Sequence, residues 1–157
     1  MTRDSDPADQ AEPSPRPLEF WRDAFETAPV PMFVVDYGRV RRAIAEAGIA
    51  GAAEFETWLD NHPEFVMGNL DRIEFLAIND AAIGLFQAKD QADLTAGLDR
   101  AVLPETLAGF KAILVALATG QPDFEGLIQY LDFKGRPFTV LQRARLPRPE
   151  AASQVTV

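Results

Sequence analysis

After Gly120 the hydrophobic period of the chain switches from 3.6 residues to 2, and no other feature limits the fold as strongly. Upstream, Pro104 stands at a first helical position, where its missing N–H costs nothing. Leu107, Phe110, Leu114 and Leu117 then form one apolar stripe, and Gly120 closes the helix. Downstream, Phe124, Ile128 and Tyr130 alternate with Glu125 and Gln129. Lys134-Gly135 supplies a turn, after which Phe138, Val140 and Gln142 alternate with Thr139, Leu141 and Arg143. This pattern predicts a long helix that runs into an antiparallel hairpin.

Two further β-rich runs lie earlier, at Met32–Asp36 and Ile73–Ile78, the second apolar on both faces. Residues 37–71 between them read as helical. Val40, Ala43, Ile44 and Ala47 make one stripe ending at Gly48, and Phe55, Trp58 and Leu59 make another that Pro63 interrupts, so both are expected as surface-packed helices. Asn79 can accept a hydrogen bond from the free amides that open a helix over Asp80–Phe86, and a short helix follows over about Gln91–Leu98. A last strand is expected within Ser153–Val157. Strands at both ends with helices between them favour an α+β fold, an antiparallel sheet with helices on one face, over alternating βαβ units.

At the N-terminus, residues 1–17 hold four prolines and four acids with almost nothing large and apolar, and are expected to be a disordered leader. Leu18, Trp21 and Phe25 then recur at helical spacing, predicting an amphipathic helix over Leu18–Glu26 that stops before Pro29 and Pro31. The chain of 157 residues, 47% of them apolar, supplies one core, so residues 18–157 are read as a single domain.

The inventory for chemistry is thin. There is no cysteine, which excludes disulfides, thiolate metal sites and cysteine nucleophiles. The lone histidine, His62, precedes a proline at a helix end, where packing or capping outweighs catalysis. No zinc or calcium ligand pattern and no glycine-rich phosphate loop is present. A net charge of −9 disfavours nucleic acid and anionic membranes, since phosphate contacts need clustered cations. With no long apolar run and no signal-peptide pattern, the segment is expected to be cytoplasmic.

The ordered set Phe25-Glu-Thr-Ala-Pro-Val-Pro-Met-Phe-Val-Val-Asp36, Ile78-Asn-Asp-Ala-Ala-Ile-Gly-Leu-Phe86, Val102-Leu-Pro-Glu-Thr-Leu107 and the turn Lys134-Gly-Arg136 resembles a PAS domain, the sensor module of bacterial histidine kinases and related signalling proteins. Two departures stand out. Residues 37–71 form a helical insert where the family usually has a tight turn, and Gln87 stands where the family commonly has glycine. The resemblance implies a non-catalytic sensory domain joined to an output domain or partner kinase. Covalent flavin or chromophore photochemistry in the family uses cysteine, which this chain lacks. Haem-binding members take an axial histidine from the long helix, and Pro104–Thr119 has none, so haem is disfavoured.

What remains is an apolar cavity between sheet and helices for a small ligand. The expected lining comes from Phe33, Val35 and Phe75 on the first strands, and from Leu85, Leu94, Phe110 and Leu114 on the helices. Ile128, Tyr130, Phe138 and Val140 complete it from the hairpin, with Gln142 and Tyr130 as orienting polar groups. Leu18, Phe20, Trp21 and Phe25 exceed what one narrow buried stripe needs and are expected at a homodimer interface. The alternative is a small α+β ligand-binding protein or enzyme with a conical cavity, using a buried Asp36 or Glu125 as base.

Overall fold

The computed structural model describes residues 17–146 and the strand at 154–156. Most of the leader expected over residues 1–17, and the Pro147-Arg-Pro149 interruption, lie outside the described residues. The chain begins with α1 (Leu18–Glu26), β1 (Phe33–Asp36) and three helices, α2 (Gly38–Ala47), α3 (Ala52–Asn61) and α4 (Pro63–Leu70). Next come β2 (Glu74–Ile78), α5 (Asp80–Phe86), α6 (Gln91–Ala96), a 3₁₀ turn at Leu98–Ala101 and α7 (Pro104–Ala118). The hairpin β3 (Asp123–Leu131) and β4 (Pro137–Arg145) and the short β5 (Gln154–Thr156) complete it.

Local chemistry accounts for most boundaries. Gly48, at φ 66°, ends α2 in the left-handed conformation that glycine adopts without steric cost. Pro63 does more than interrupt: α3 ends at Asn61, and the proline becomes the first residue of α4. The helix expected to reach Leu98 stops at Ala96 and tightens into the 3₁₀ turn. The hairpin turn is held by Asp132, whose carboxylate accepts from the backbone of Lys134 (2.9 Å) and Arg136 (2.9 Å) and from Arg136 Nε (2.7 Å). Those bonds hold its carboxyl below the usual carboxylate range.

The five strands form one antiparallel sheet in the order β2-β1-β5-β4-β3, so the last strand in sequence sits at its centre, with Val34 opposite Thr156. A bulge between Val34 and Val35 pairs Val34 with Ala77 and Val35 with Phe75. It leaves Leu76 as the extra residue, 39% exposed, so β2 is not apolar-buried on both faces as its composition suggested. On the hairpin's outer face, Leu127 (72% exposed) and Leu141 (53%) are cross-strand partners, flanked by the pair Arg143–Glu125 (2.5 Å).

The helices cover the other face in two clusters. In the first, α7 is packed between β3 and the three insert helices, and Val40, Phe55, Leu59 and Val66 of the insert are at most 5% exposed. The insert helices are therefore part of the main core rather than a surface layer. Two-sided packing also widens the buried face of α7 beyond the expected stripe: Thr106, Ile113 and Ala116 are buried, whereas Leu107 is only half-buried. The approach to β3 is close, since a Cβ at Gly109 would lie 2.8 Å from the Ile128 side chain. The second cluster, Ile78, Ala82, Phe86, Leu94 and Ala101, lies under α5, α6 and the 3₁₀ turn.

Candidate functional site

The twelve residues expected to line one cavity divide between the clusters. Val35, Phe110, Leu114 and Ile128 are buried in the first, and Leu94 is buried in the second with Leu85 and Phe138 packed against it. Phe33, Phe75 and Tyr130 are half-buried and border both. Val140 and Gln142 are half-buried further along β4, outside both clusters. The sequence treated these positions as one wall because each faces inward on its own strand or helix. In the fold, the inner layer has two compartments with a seam.

That seam is aromatic and centres on Phe86, which was not among the expected lining residues. Its ring meets Phe138 (centroids 5.2 Å), Tyr130 (5.5 Å) and Phe33 (6.2 Å) edge-on, and Phe33 in turn meets Phe75 at 6.0 Å. Edge-to-face contacts of this kind satisfy the ring quadrupoles and add to the area buried. The signal for Phe86 was available: it follows Ala82 by four residues on the helix that Asn79 opens, and so shares the face that turns toward Ile78.

Polar groups at the seam are few and neutral. The Tyr130 hydroxyl donates to Gln142 Oε1 at 2.8 Å, pairing the two orienting residues expected from sequence. Burial pushes the Tyr130 phenol up to about 12. Tyr37, also absent from the expected set, is 3% exposed, and burial together with the neighbouring Tyr130 raises its phenol further. Both tyrosines are therefore un-ionised at neutral pH, and the polar surface they offer is a hydroxyl pair beside an amide.

The carboxylates considered as a catalytic base sit elsewhere. Glu125 is on the outer sheet face, paired with Arg143, and Asp36 is half-buried and accepts from the Gly38 backbone at 2.6 Å, so neither is the buried base that reading required. His62 joins α3 to α4: its Nδ1 lies 2.8 Å from the Trp58 carbonyl and its ring stacks on Trp58 at 4.2 Å. An open depression of about 490 Å³ along this face of α3, bordered by Glu54, Thr57, Trp58 and His62, belongs to the insert's outer surface and not to the seam. No group of three or more metal-ligating side chains occurs among the described residues. Among them, no helix is long and apolar enough to cross a membrane.

Helix α1 contributes no buried residue. Leu18 is 87% and Trp21 59% exposed, Phe20 meets Trp21 edge-on at 5.2 Å, and Phe25 is half-buried.

An antiparallel sheet with helices on one face and a flanking amphipathic helix is a PAS-like α+β fold. A family model described as PAS domain matches residues 19–43, from α1 through β1 into α2, and supports a PAS domain in this chain. No curated protein gives a significant match.

Proposed function

We propose that this domain is the non-catalytic sensory input of a larger cytoplasmic signalling protein, a sensor histidine kinase or a relative of one. In this reading a small, neutral, largely apolar ligand enters the aromatic seam, with the Tyr130–Gln142 pair as its polar contact. The response leaves through α1, which pairs with α1 of a second copy and passes the bias to an output domain. The mechanism is a population shift between packings of the inner layer, for which the ligand needs a differential affinity for one of them. The observation that carries the reading is the seam itself: the buried Phe86 ring bordered by the half-buried rings of Phe33, Phe75, Tyr130 and Phe138, with un-ionised tyrosines, while the Arg100 guanidinium lies over Phe133 at the edge of the cluster. Support for α1 as the exit comes from Leu18 and Trp21, which one copy of the domain leaves exposed.

Native mass spectrometry of the purified chain, with an absorption spectrum before and after denaturation, tests both parts. Extra mass that is lost on denaturation, and that falls when Tyr130→Phe and Gln142→Leu are introduced together, is the expected result for the ligand. A dimer that Trp21→Glu converts to monomer is the expected result for α1. A ligand-free monomer at every concentration would sink the proposal.

A further inference from the structure

Asn79 is fully buried and uses the two halves of its amide in different directions. Its Oδ1 accepts from the Ala82 backbone (3.1 Å), capping α5, and from the Met32 backbone (2.9 Å) at the entry to β1. Its Nδ2 faces three carbonyls, those of Val30 at 2.8 Å, Phe25 at 3.2 Å and Ala28 at 3.3 Å. An amide nitrogen has two hydrogens, so Val30 takes one and the two longer contacts share the other.

Phe25 belongs to the last turn of α1, and Ala28 and Val30 to the link that follows. The final carbonyls of a helix have no partner within it, and at the end of α1 that of Phe25 accepts both from Asn79 and from the Ala28 backbone (3.3 Å). Among the described residues α1 has no extensive packing against another element, and this amide ties its last turn to the body of the domain. At its far end α5 carries Phe86 into the aromatic seam, and the Phe86 carbonyl accepts from the Phe133 backbone at 2.9 Å. One short helix thus has the seam at one end and the tether at the other.

We infer that Asn79 is a positioning residue that couples α5 to α1. A change that repacks Phe86 displaces α5, moves the Asn79 amide against the carbonyls of Phe25, Ala28 and Val30, and alters how α1 leaves the domain. The inference rests on the reading of α1 as the route by which the signal exits.

Asn79→Asp separates the two halves of the amide. Aspartate caps a helix as well as asparagine does, but it sets an oxygen where the donor stood. Asn79→Ser also keeps an acceptor without adding charge, and its shorter side chain withdraws the amide donor from the carbonyls of Phe25, Ala28 and Val30. Amide hydrogen exchange on the full chain should show residues 20–30 exchanging about tenfold faster in either variant, the scale of one lost hydrogen bond, with the α5 amides unchanged. Phe86→Leu should speed α1 exchange in the native background and add nothing to it in Asn79→Ser. Indifference of α1 to residue 79, equal effects of Phe86→Leu in both backgrounds, or native α1 amides already exchanging at the unprotected rate would each overturn the inference. If neither residue-79 variant folds, Phe86→Leu alone decides: no change at α1 overturns the coupling. A monomer with the residue-79 effects intact would instead break the dimer reading and leave the tether standing.

Discussion

The two hydrophobic clusters are made from different materials. The first is packed on both sides of α7, and its fully buried side chains, Phe55, Leu59, Leu114, Ile128 and Val40, have neighbours in every direction. The second has five buried residues and a border of half-buried rings. A residue surrounded on all sides cannot lose a methyl group without leaving a void, whereas one at a half-open border lets its neighbours and solvent fill in. A change of packing is therefore tolerated at modest cost at the half-open border of the second cluster, and not at Leu94 or Ala82, which are enclosed within it as Leu114 is within the first. The proposed sensory role would use that division.

The sharpest way to break this contrast is the same substitution in both layers. Leu114→Ala should cost about 3 to 5 kcal/mol in urea unfolding, and Leu85→Ala at the border of the second cluster about 1 to 2 kcal/mol. Equal costs would erase the distinction. Next in size is Gly109→Ala. In an exposed helix it would stabilise, but here its methyl would press on Ile128, and a loss of about 1 to 3 kcal/mol is expected. A gain in melting temperature would show that α7 and β3 are less tightly joined than the two-sided packing requires.

Alkaline titration reports on the seam. Both phenols have folded-state pKa values raised above the unfolded value of about 10, so their contribution to stability is complete below that pH. It is lost as pH rises through about 12, where Tyr130 ionises. The native chain should show almost no tyrosinate absorbance at about pH 11, and the signal of both tyrosines should appear when urea is added. Full ionisation without urea would mean that the seam is open to solvent.

The smallest effect is expected at Gln87, which caps α5 at φ 56°, the left-handed region in which glycine is at ease. The departure from glycine noted in the sequence thus falls at the one non-glycine residue with positive φ among those described. Its side chain offsets part of the strain by donating to Gly84 O (2.8 Å) and accepting from Lys134 Nζ (2.9 Å). Gln87→Gly should therefore gain less than about 1 kcal/mol, a rise of no more than about 3 °C in thermal melts.

Local rules located nearly every element. The Leu18–Glu26 helix, the Asp80–Phe86 helix capped by Asn79 and the Lys134-Gly135 turn all depend on residues within a few positions of one another, and each is found where its spacing put it. Legibility declined wherever a second surface took part. The stripe read on α7 was too narrow because only one neighbouring layer was inferred. The insert helices were read as peripheral because their stripes carry no record of what they face. Most of the seam was legible, in Phe33, Phe75, Tyr130 and Phe138; the helical spacing also marked Phe86 as inward-facing but not its ring contacts with segments far apart in the chain, and nothing local marked the burial of Tyr37.

By itself the sequence determined which segments are helix, strand or turn, and the cap that Asn79 places on Ala82, since a cap is a contact three residues long. Tertiary structure alone decided that β5 lies at the centre of the sheet and that α7 is buried on two sides. It also decided that the donor half of the Asn79 amide reaches back about fifty residues to the carbonyls of Phe25, Ala28 and Val30. The physical reason is range: periodicity and capping act over one or two turns of chain, whereas a buried amide must find partners for every hydrogen in whatever the fold brings beside it.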